Sequence, residues 1–320
     1  MRALVIDHGL RFERDYPTPT PPAGEALVRV RCTGVCNTDL ELVKGYLNFK
    51  GVPGHEFVGV VEQADGREEL IGQRVTGEIN AACGVCDTCC AHRPTHCPHR
   101  TTLGIAGRDG TFADTVALPF ENLHPLPDSI SDDQAVFIEP LAAACEILDQ
   151  IGIRPTDRVA VIGDGKLGLL CAQVVALTGC DLIVVGRHTD KLDLLKPRGL
   201  TTTTDLAGLA RASFDIAIEA TGTPGGYAAA RQLVRPRGTI VLKSTYHGEI
   251  QVDLTRVVVD EVTLIGSRCG PFPPAIRLLA NRQIDVAPLI QARYSLDDGL
   301  AAFERAAQKG TLKVIVEMIR

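Results

Sequence analysis

Arg158–His188 reads R-V-A-V-I-G-D-G-K-L-G-L-L-C-A-Q-V-V-A-L-T-G-C-D-L-I-V-V-G-R-H. An apolar run, Val159 to Ile162, breaks at Gly163, Gly165 and Gly168. An amphipathic segment then continues to Leu177, and β-branched residues return from Leu182 to Val185. The pattern predicts strand, glycine turn, helix, strand. In such a βαβ unit Gly163 makes the tight turn, Gly165 lets the backbone approach a pyrophosphate, and Gly168 permits close helix packing. The helix that opens at Lys166 and Leu167 presents its N-terminus to the anion. A dinucleotide is the expected ligand.

The coenzyme type is read about twenty residues further on. A site for NAD usually places Asp or Glu at the end of the second strand, where it accepts from the ribose hydroxyls. Here D-L-I-V-V ends in Gly186, Arg187 and His188. A carboxylate at that point would repel a ribose 2′-phosphate, whereas glycine leaves room and a guanidinium binds the phosphate through charge-assisted hydrogen bonds. NADP is therefore the expected coenzyme, with NAD as the alternative.

Outward from this unit, 320 residues suit two domains. The net charge is −6 and there is no basic run, so the positive face of a nucleic-acid binder is not expected. No stretch reaches the roughly 18 apolar residues a membrane span needs. The N-terminus, M-R-A-L-V-I-D-H, has only a short apolar run. A cytoplasmic protein is expected, free of nucleic-acid and membrane partners. Eleven cysteines, an odd and locally clustered count, fit thiolate metal ligands better than a secreted disulfide framework.

Upstream, residues 3–7 and 26–32 read as strands joined by a Pro-rich loop. T-G-V-C-N-T-D-L carries Cys36, Thr38 and Asp39, and V-P-G-H-E-F-V-G-V-V carries His55 and Glu56 into another strand. Taken singly, Cys36 reads as a small buried hydrophobe and His55 as a structural histidine. Together, near glycine turns and upstream of a dinucleotide fold, they are ligands that a catalytic zinc uses while keeping one position open. Glu56 then either supports the ligands from behind or is an alternative ligand. Asp39 is placed to hold the His55 imidazole in one tautomer.

Residues 83–97, C-G-V-C-D-T-C-C-A-H-R-P-T-H-C, place Cys83, Cys86, Cys89 and Cys97 as C-x2-C-x2-C-x7-C. Four thiolates in one loop suit a closed, structural zinc site. Cys90, His92 and His96 also lie within reach of the fourth position. Residues 104–119 read as a hairpin and strand returning to the first domain. Ser131 is a plausible N-cap, and Glu139-Pro140 precedes an alanine-rich helix. An acid inside F-I-E-P-L is costly without a partner, and a zinc ion would be such a partner.

Further strands are expected at F-D-I-A-I-E-A-T-G, G-T-I-V-L-K-S-T-Y and V-T-L-I-G-S-R, as a doubly wound parallel sheet requires. A helix over Y-S-L-D-D-G-L-A-A-F-E-R-A-A and a final strand L-K-V-I-V-E-M follow, the strand rejoining the first domain.

The motifs G-H-E (54–56), the four-cysteine loop, I-E-P-L (138–141), G-D-G-K-L-G (163–168) and L-K-V-I-V-E, in this order along essentially the whole chain, resemble the zinc-dependent medium-chain alcohol dehydrogenase family. The resemblance implies an α/β protein: a GroES-like β-rich catalytic domain, residues 1–140 and 272–320, around a Rossmann doubly wound parallel sheet, residues 141–271. It implies that Cys36, His55 and Glu139 hold the catalytic zinc, the glutamate replacing a cysteine as in polyol and sugar dehydrogenases. Thr38 takes the place of the hydroxyl that relays the alcohol proton. Lys313 matches a basic residue that reaches the cofactor phosphates. Where many members end the relay with a histidine, Glu41 stands.

The function so implied is hydride transfer between NADP(H) and an alcohol or carbonyl small molecule held on zinc, with two zinc ions per chain. Family members pair along the edge strand of the nucleotide domain, so a homodimer or homotetramer is expected. Two rivals are a non-catalytic, zinc-stabilised nucleotide-binding protein and a reductase of activated double bonds on the same fold. The set Cys36, Thr38, His55 and Glu139 stands against the first and the four-cysteine loop against the second.

Overall fold

The computed structural model describes residues 1–246 and 249–318. The chain forms two compact units, one of residues Met1–Glu139 with the segment from Ala275 onward, the other of Pro140–Pro274.

The first unit opens with the antiparallel pair β1 (Ala3–Ile6) and β2 (Leu10–Glu13), then β3 (Glu25–Gly34), α1 (Asn37–Val43), β4 (Glu56–Gln63) and β5 (Arg74–Gly77). A small lobe follows, made of β6 (Asn80–Ala81), α2 (Asp87–Cys90), β7 (Thr101–Leu103) and β8 (Gly107–Arg108), and after it β9 (Thr115–Pro119), β10 (Leu123–Pro125) and α3 (Asp132–Ala135). Alternation along β3, E-A-L-V-R-V-R, buries Ala26, Val28 and Val30 while leaving the charged positions half-buried or exposed, as a half-buried antiparallel strand should. Ser131 caps α3: its Oγ accepts from the Gln134 N–H and Gln134 Oε1 accepts from the Ser131 N–H, a capping box.

The second unit holds α4 (Ile138–Gln150, which begins just before the boundary), β11 (Arg158–Ile162), α5 (Lys166–Ala176), β12 (Asp181–Val185), α6 (Thr189–Leu192), β13 (Thr201–Thr203), β14 (Phe214–Glu219), α7 (Pro224–Leu233), β15 (Val234–Leu242), α8 (Leu254–Val259) and β16 (Thr263–Gly266). Its six strands are all parallel, in the order β13-β12-β11-β14-β15-β16. That is the 3-2-1-4-5-6 order of dinucleotide-binding sheets, whose ligand site lies at the carboxyl ends of the strands where the order reverses, here between β11 and β14. Val159, Ala160 and Val161 are fully buried, which explains why β11 reads as a continuous apolar run rather than an alternating one.

Beyond α9 (Phe272–Ala280) the chain adds β17 (Ile290–Ser295), α10 (Gly299–Ala307) and β18 (Lys313–Glu317). β18 lies between β17 and β3, completing a sheet of order β10-β5-β4-β3-β18-β17 with β9 also on β3. The return of the last strand to the first unit is therefore a matter of strand pairing: Ile315 opposes Gly34 and Val316 opposes Thr33. The core beneath includes Leu4, Val35, Val52, Val314 and an edge-on pair, Phe112 and Phe303, with ring centroids 4.9 Å apart. Among the described residues no helix is long and apolar enough to cross a membrane.

Two expected elements differ. The hairpin over residues 104–119 does not form, because β8 runs parallel to β7 and β9 pairs with β3. A tight turn, with the Gly104 N–H donating to the Arg108 carbonyl, instead presses the segment against Gly54. The helix expected from Tyr294 starts only at Gly299; Tyr294 and Ser295 end β17, where they oppose Val316 and Glu317. Pairing with β18 outweighs the local helical pattern.

Candidate metal and coenzyme sites

Cys36 is the residue before α1, and its N–H donates to Asp39 Oδ2 at 2.8 Å, so the helix start fixes the thiol. The same carboxylate, fully buried, accepts from the Gly54 N–H at 3.2 Å and faces His55 Nδ1 at 3.4 Å. That last separation is too long and misaligned for a well-formed hydrogen bond: His55 Nδ1 is buried without a hydrogen-bond partner. The contact is electrostatic, and it leaves the other ring nitrogen for a metal. Burial opposes the imidazolium, but Asp39 and the Cys36 sulfur outweigh it and hold His55 well above the ordinary histidine value.

The loop before His55 is packed main chain on main chain. A Cβ on Gly104 or on Gly110 would stand 2.2 Å from the Gly54 carbonyl oxygen, and Gly54 itself has φ +103°. Glycine is required at Gly54 for the left-handed conformation and at its two neighbours for the close approach.

Glu56 begins β4 opposite Gly34. One ligand atom each from Cys36, His55 and Glu56 lie within 4.8 Å of one another, a group able to share a metal ion. The Thr38 hydroxyl is 3.8 Å from Cys36 Sγ. Glu139 sits half-buried in the first turn of α4, after the fully buried Phe137 and Ile138, and is not one of these three. Lys313, expected at the cofactor phosphates, is fully buried with its ammonium on Glu56 Oε2 and 5.3 Å from the centre of the Phe137 ring. A Cβ on Gly34 would stand 2.8 Å from that Glu56 oxygen, so the ion pair occupies space that only glycine leaves open. Glu41 is paired with Lys44 at 2.9 Å.

The four-cysteine loop gathers as its spacing predicts. Sγ atoms are 3.5 Å apart for Cys86 and Cys89, 3.7 Å for Cys86 and Cys97, and 3.5 Å for Cys83 and Cys97. Tetrahedral thiolates at a Zn–S distance of about 2.3 Å stand roughly 3.8 Å apart, so the donor set fits zinc. Main-chain N–H groups around Cys83 and at His99 hold the Cys97 thiol down at about 6, against the opposing effect of burial. The alternatives for the fourth position face elsewhere: Cys90 Sγ contacts the Val85 carbonyl at 3.7 Å, and His96 Nδ1 the Thr95 hydroxyl at 3.0 Å. His92 is exposed with φ +58°.

In the second unit Gly163 has φ +130°, and a Cβ there would stand 2.7 Å from the Ala220 carbonyl oxygen. Gly165 precedes α5 with φ −80° and has open space where a Cβ would be. Lys166 and Leu167 form the first turn, and a Cβ on Gly168 would lie 2.2 Å from the Gly163 carbonyl oxygen. The three glycines thus serve a turn, an open approach and a close contact. Gly186, Arg187 and His188 follow β12, with Arg187 exposed and His188 at its border with solvent.

Two residues in quoted stretches carry roles that sequence alone did not assign. Asp164 binds the Arg187–His188 turn. Glu219, fully buried at the end of β14, accepts from the Thr221 N–H at 2.6 Å and the Tyr246 hydroxyl at 2.6 Å, which orders the loop beside the glycine turn. An acid ending a buried parallel strand was the available signal for Glu219.

Residues 22–128 match the alcohol dehydrogenase GroES-like domain, and residues 167–281 match the zinc-binding dehydrogenase domain. The chain is 32% identical to L-threonine 3-dehydrogenase of Streptomyces coelicolor over 99% of either protein. It belongs to the zinc-dependent medium-chain alcohol dehydrogenase family. Among solved structures, a zinc-binding dehydrogenase of Sinorhizobium meliloti 1021 bound to NADP aligns with TM-score 0.90 and 28% identity, covering 99% of this chain and 98% of that one. An alcohol dehydrogenase of Escherichia coli CFT073 complexed with NADH aligns with TM-score 0.89 and 26% identity, covering 99% of both chains. This dehydrogenase is accordingly an oxidoreductase whose cofactors are zinc and a nicotinamide dinucleotide, built on the GroES-like and Rossmann architecture.

Proposed function

We propose that this dehydrogenase moves a hydride between NADP(H) and an alcohol or carbonyl carbon of a small molecule. The observation that carries the reading is that Cys36 and His55 place a thiol and an imidazole nitrogen within 4.8 Å of each other, with the Thr38 hydroxyl 3.8 Å from the thiol. Cys36 and His55 hold the catalytic zinc. Glu139 is the third ligand, because Glu56, the alternative, already has its charge balanced by Lys313. Zinc supplies Lewis acidity when bound. The chain's own contributions are to orient the thiol through the start of α1, to fix the imidazole against Asp39, and to place the Thr38 hydroxyl where it passes the substrate proton.

Cys83, Cys86, Cys89 and Cys97 hold a second, structural zinc, since four protein ligands leave no open position. Four gathered thiols suit a reducing, cytoplasmic setting. NADP is favoured because Gly186 and the exposed Arg187 stand where an NAD site carries an acid. A second copy pairs along β16, which is at the edge of its sheet, and the adjoining α8 exposes Leu254, Val258 and Val259 at 65–74%.

The test is a screen of alcohols and aldehydes with both coenzymes at the nicotinamide absorbance, with zinc content measured on the same preparation. Turnover with at least one substrate class, dependent on zinc, is expected. Folded protein with two zinc ions, bound coenzyme and no turnover on any class would instead favour the non-catalytic nucleotide-binding reading.

A further inference from the structure

The glycine fingerprint carries an acid at its second position, Asp164, while the turn after β12 carries none. The structure links the two facts. Asp164 Oδ2 accepts from the Arg187 N–H at 2.6 Å and the His188 N–H at 2.7 Å, and it contacts His188 Nδ1 at 3.0 Å. A carboxylate oxygen has about two lone pairs, so with three donors around it Oδ2 has no capacity left for a ribose hydroxyl. Two successive main-chain N–H groups are turned toward one carboxylate oxygen, which fixes the backbone at residues 187 and 188. Burial works against the charged carboxylate, but the Arg187 and His188 donors outweigh it and hold Asp164 below the usual carboxylate range.

Gly186 is the second observation. A Cβ there would stand 2.7 Å from Asp164 Cβ and 2.8 Å from its Oδ2. Any side chain at position 186, including the acid an NAD site carries there, would therefore collide with Asp164 as it stands, and with Leu192 Cδ2 at 2.9 Å. The third observation concerns Arg187 itself. Its Nη2 is 3.7 Å from where a Cβ on Gly225 would be, in the first turn of α7, whose preceding residue Thr223 accepts from the Gly226 N–H. A guanidinium and the positive end of a ten-residue helix gain nothing from each other, but both attract an anion placed between them.

We propose that Asp164 is the positioning residue of coenzyme choice: it excludes a carboxylate from position 186 and clamps the 187–188 backbone so that Arg187 meets the ribose 2′-phosphate. The inference rests on the NADP reading above and adds the residue that enforces it.

The experiment measures dissociation constants for NADPH and NADH, by nicotinamide fluorescence, on wild type and four variants: Arg187→Ala, Asp164→Asn, Asp164→Ala, and the exchange Asp164→Gly with Gly186→Asp. Arg187→Ala should weaken NADPH about ten- to a hundred-fold, the value of a hydrogen bond to a charged group, and leave NADH little changed. Asp164→Ala should weaken NADPH by about tenfold or more while NADH moves much less. Asp164→Asn keeps an acceptor oxygen in the same shape and should retain most of the wild-type NADPH-to-NADH ratio. The exchange variant returns the carboxylate to the ribose side and should invert the preference.

Equal losses for both coenzymes in Asp164→Ala would mean a merely structural role and overturn the inference. If that variant does not fold, the exchange variant decides, and an unchanged NADPH preference in it is equally fatal. Equal affinities for the two coenzymes in wild type, or an Arg187→Ala variant without effect, would instead remove the NADP reading and this inference with it. The separate behaviour of Arg187→Ala and Asp164→Ala distinguishes those two failures.

Discussion

Substituting Gly165 and Gly168 with alanine, one at a time, separates the two ways in which the fingerprint needs glycine. At Gly165 the backbone has φ −80° and ψ 175°, which any residue adopts, and nothing lies within 4 Å of the position of an added Cβ. Reduced freedom of the unfolded chain then favours alanine by about 0.4–1 kcal/mol. Alanine's poorer performance before a helix costs a similar amount, so stability should change by less than about 1 kcal/mol. At Gly168 the added Cβ would stand 2.2 Å from the Gly163 carbonyl oxygen and 2.8 Å from its carbon, about 1.3 Å and 0.7 Å inside the roughly 3.5 Å of a comfortable contact. Both neighbours are main chain and no rotamer relieves the overlap. Overpacking of this kind costs about 1–3 kcal/mol, against about 1 kcal/mol gained in helix propensity.

Coenzyme binding should respond differently. A methyl group on Gly165 fills the approach to the pyrophosphate and should weaken NADPH and NADH alike, by about ten- to a hundred-fold if the overlap costs about 1.4–2.8 kcal/mol. Thermal melting of the free protein and fluorescence titration with both coenzymes check the pair. Gly165→Ala that melts as early as Gly168→Ala, or that binds coenzyme with wild-type affinity, would refute the assignment of the open approach to Gly165.

Three further outcomes are expected. Elemental analysis should give about two zinc ions per chain, and Cys97→Ser should lower this to about one together with the melting temperature, since a structural zinc contributes to folding directly; a single zinc in well-folded wild type would contradict the two-site reading. Glu139→Ala should lower turnover by more than about a hundredfold and release one zinc while coenzyme titration is unchanged, whereas zinc retained in Glu139→Ala but lost in Glu56→Gln would assign the third ligand to Glu56. Sedimentation at micromolar concentration should show at least a dimer, and a charged residue at Val258 should weaken it; a wild-type monomer would leave the β16 edge without a partner.

The sequence by itself determined the features that local pattern controls. The βαβ unit was legible because β11 and β12 are continuous apolar runs separated by glycines whose spacing has one geometric meaning, and the four-cysteine cluster because its thiols lie within a single loop. Cys36 and His55 were legible as a pair through the company of their motifs. Tertiary structure decided what depends on segments meeting across the fold. Tyr294 and Ser295 became strand because β18 was available to pair with them, and residues 104–119 gave up a hairpin because Gly104 and Gly110 pack against Gly54. Lys313 came to face Glu56, 257 residues away in sequence, because β18 lies against β3. Asp164 acquired its partners 23 and 24 residues further along the chain. Strand, turn and helix preferences act over a few residues and can be read in order. The position of a buried charge is set by which opposite charge or donor the packed chain brings within about 3 Å, since an unpaired one is costly, and that distance exists only in the folded molecule.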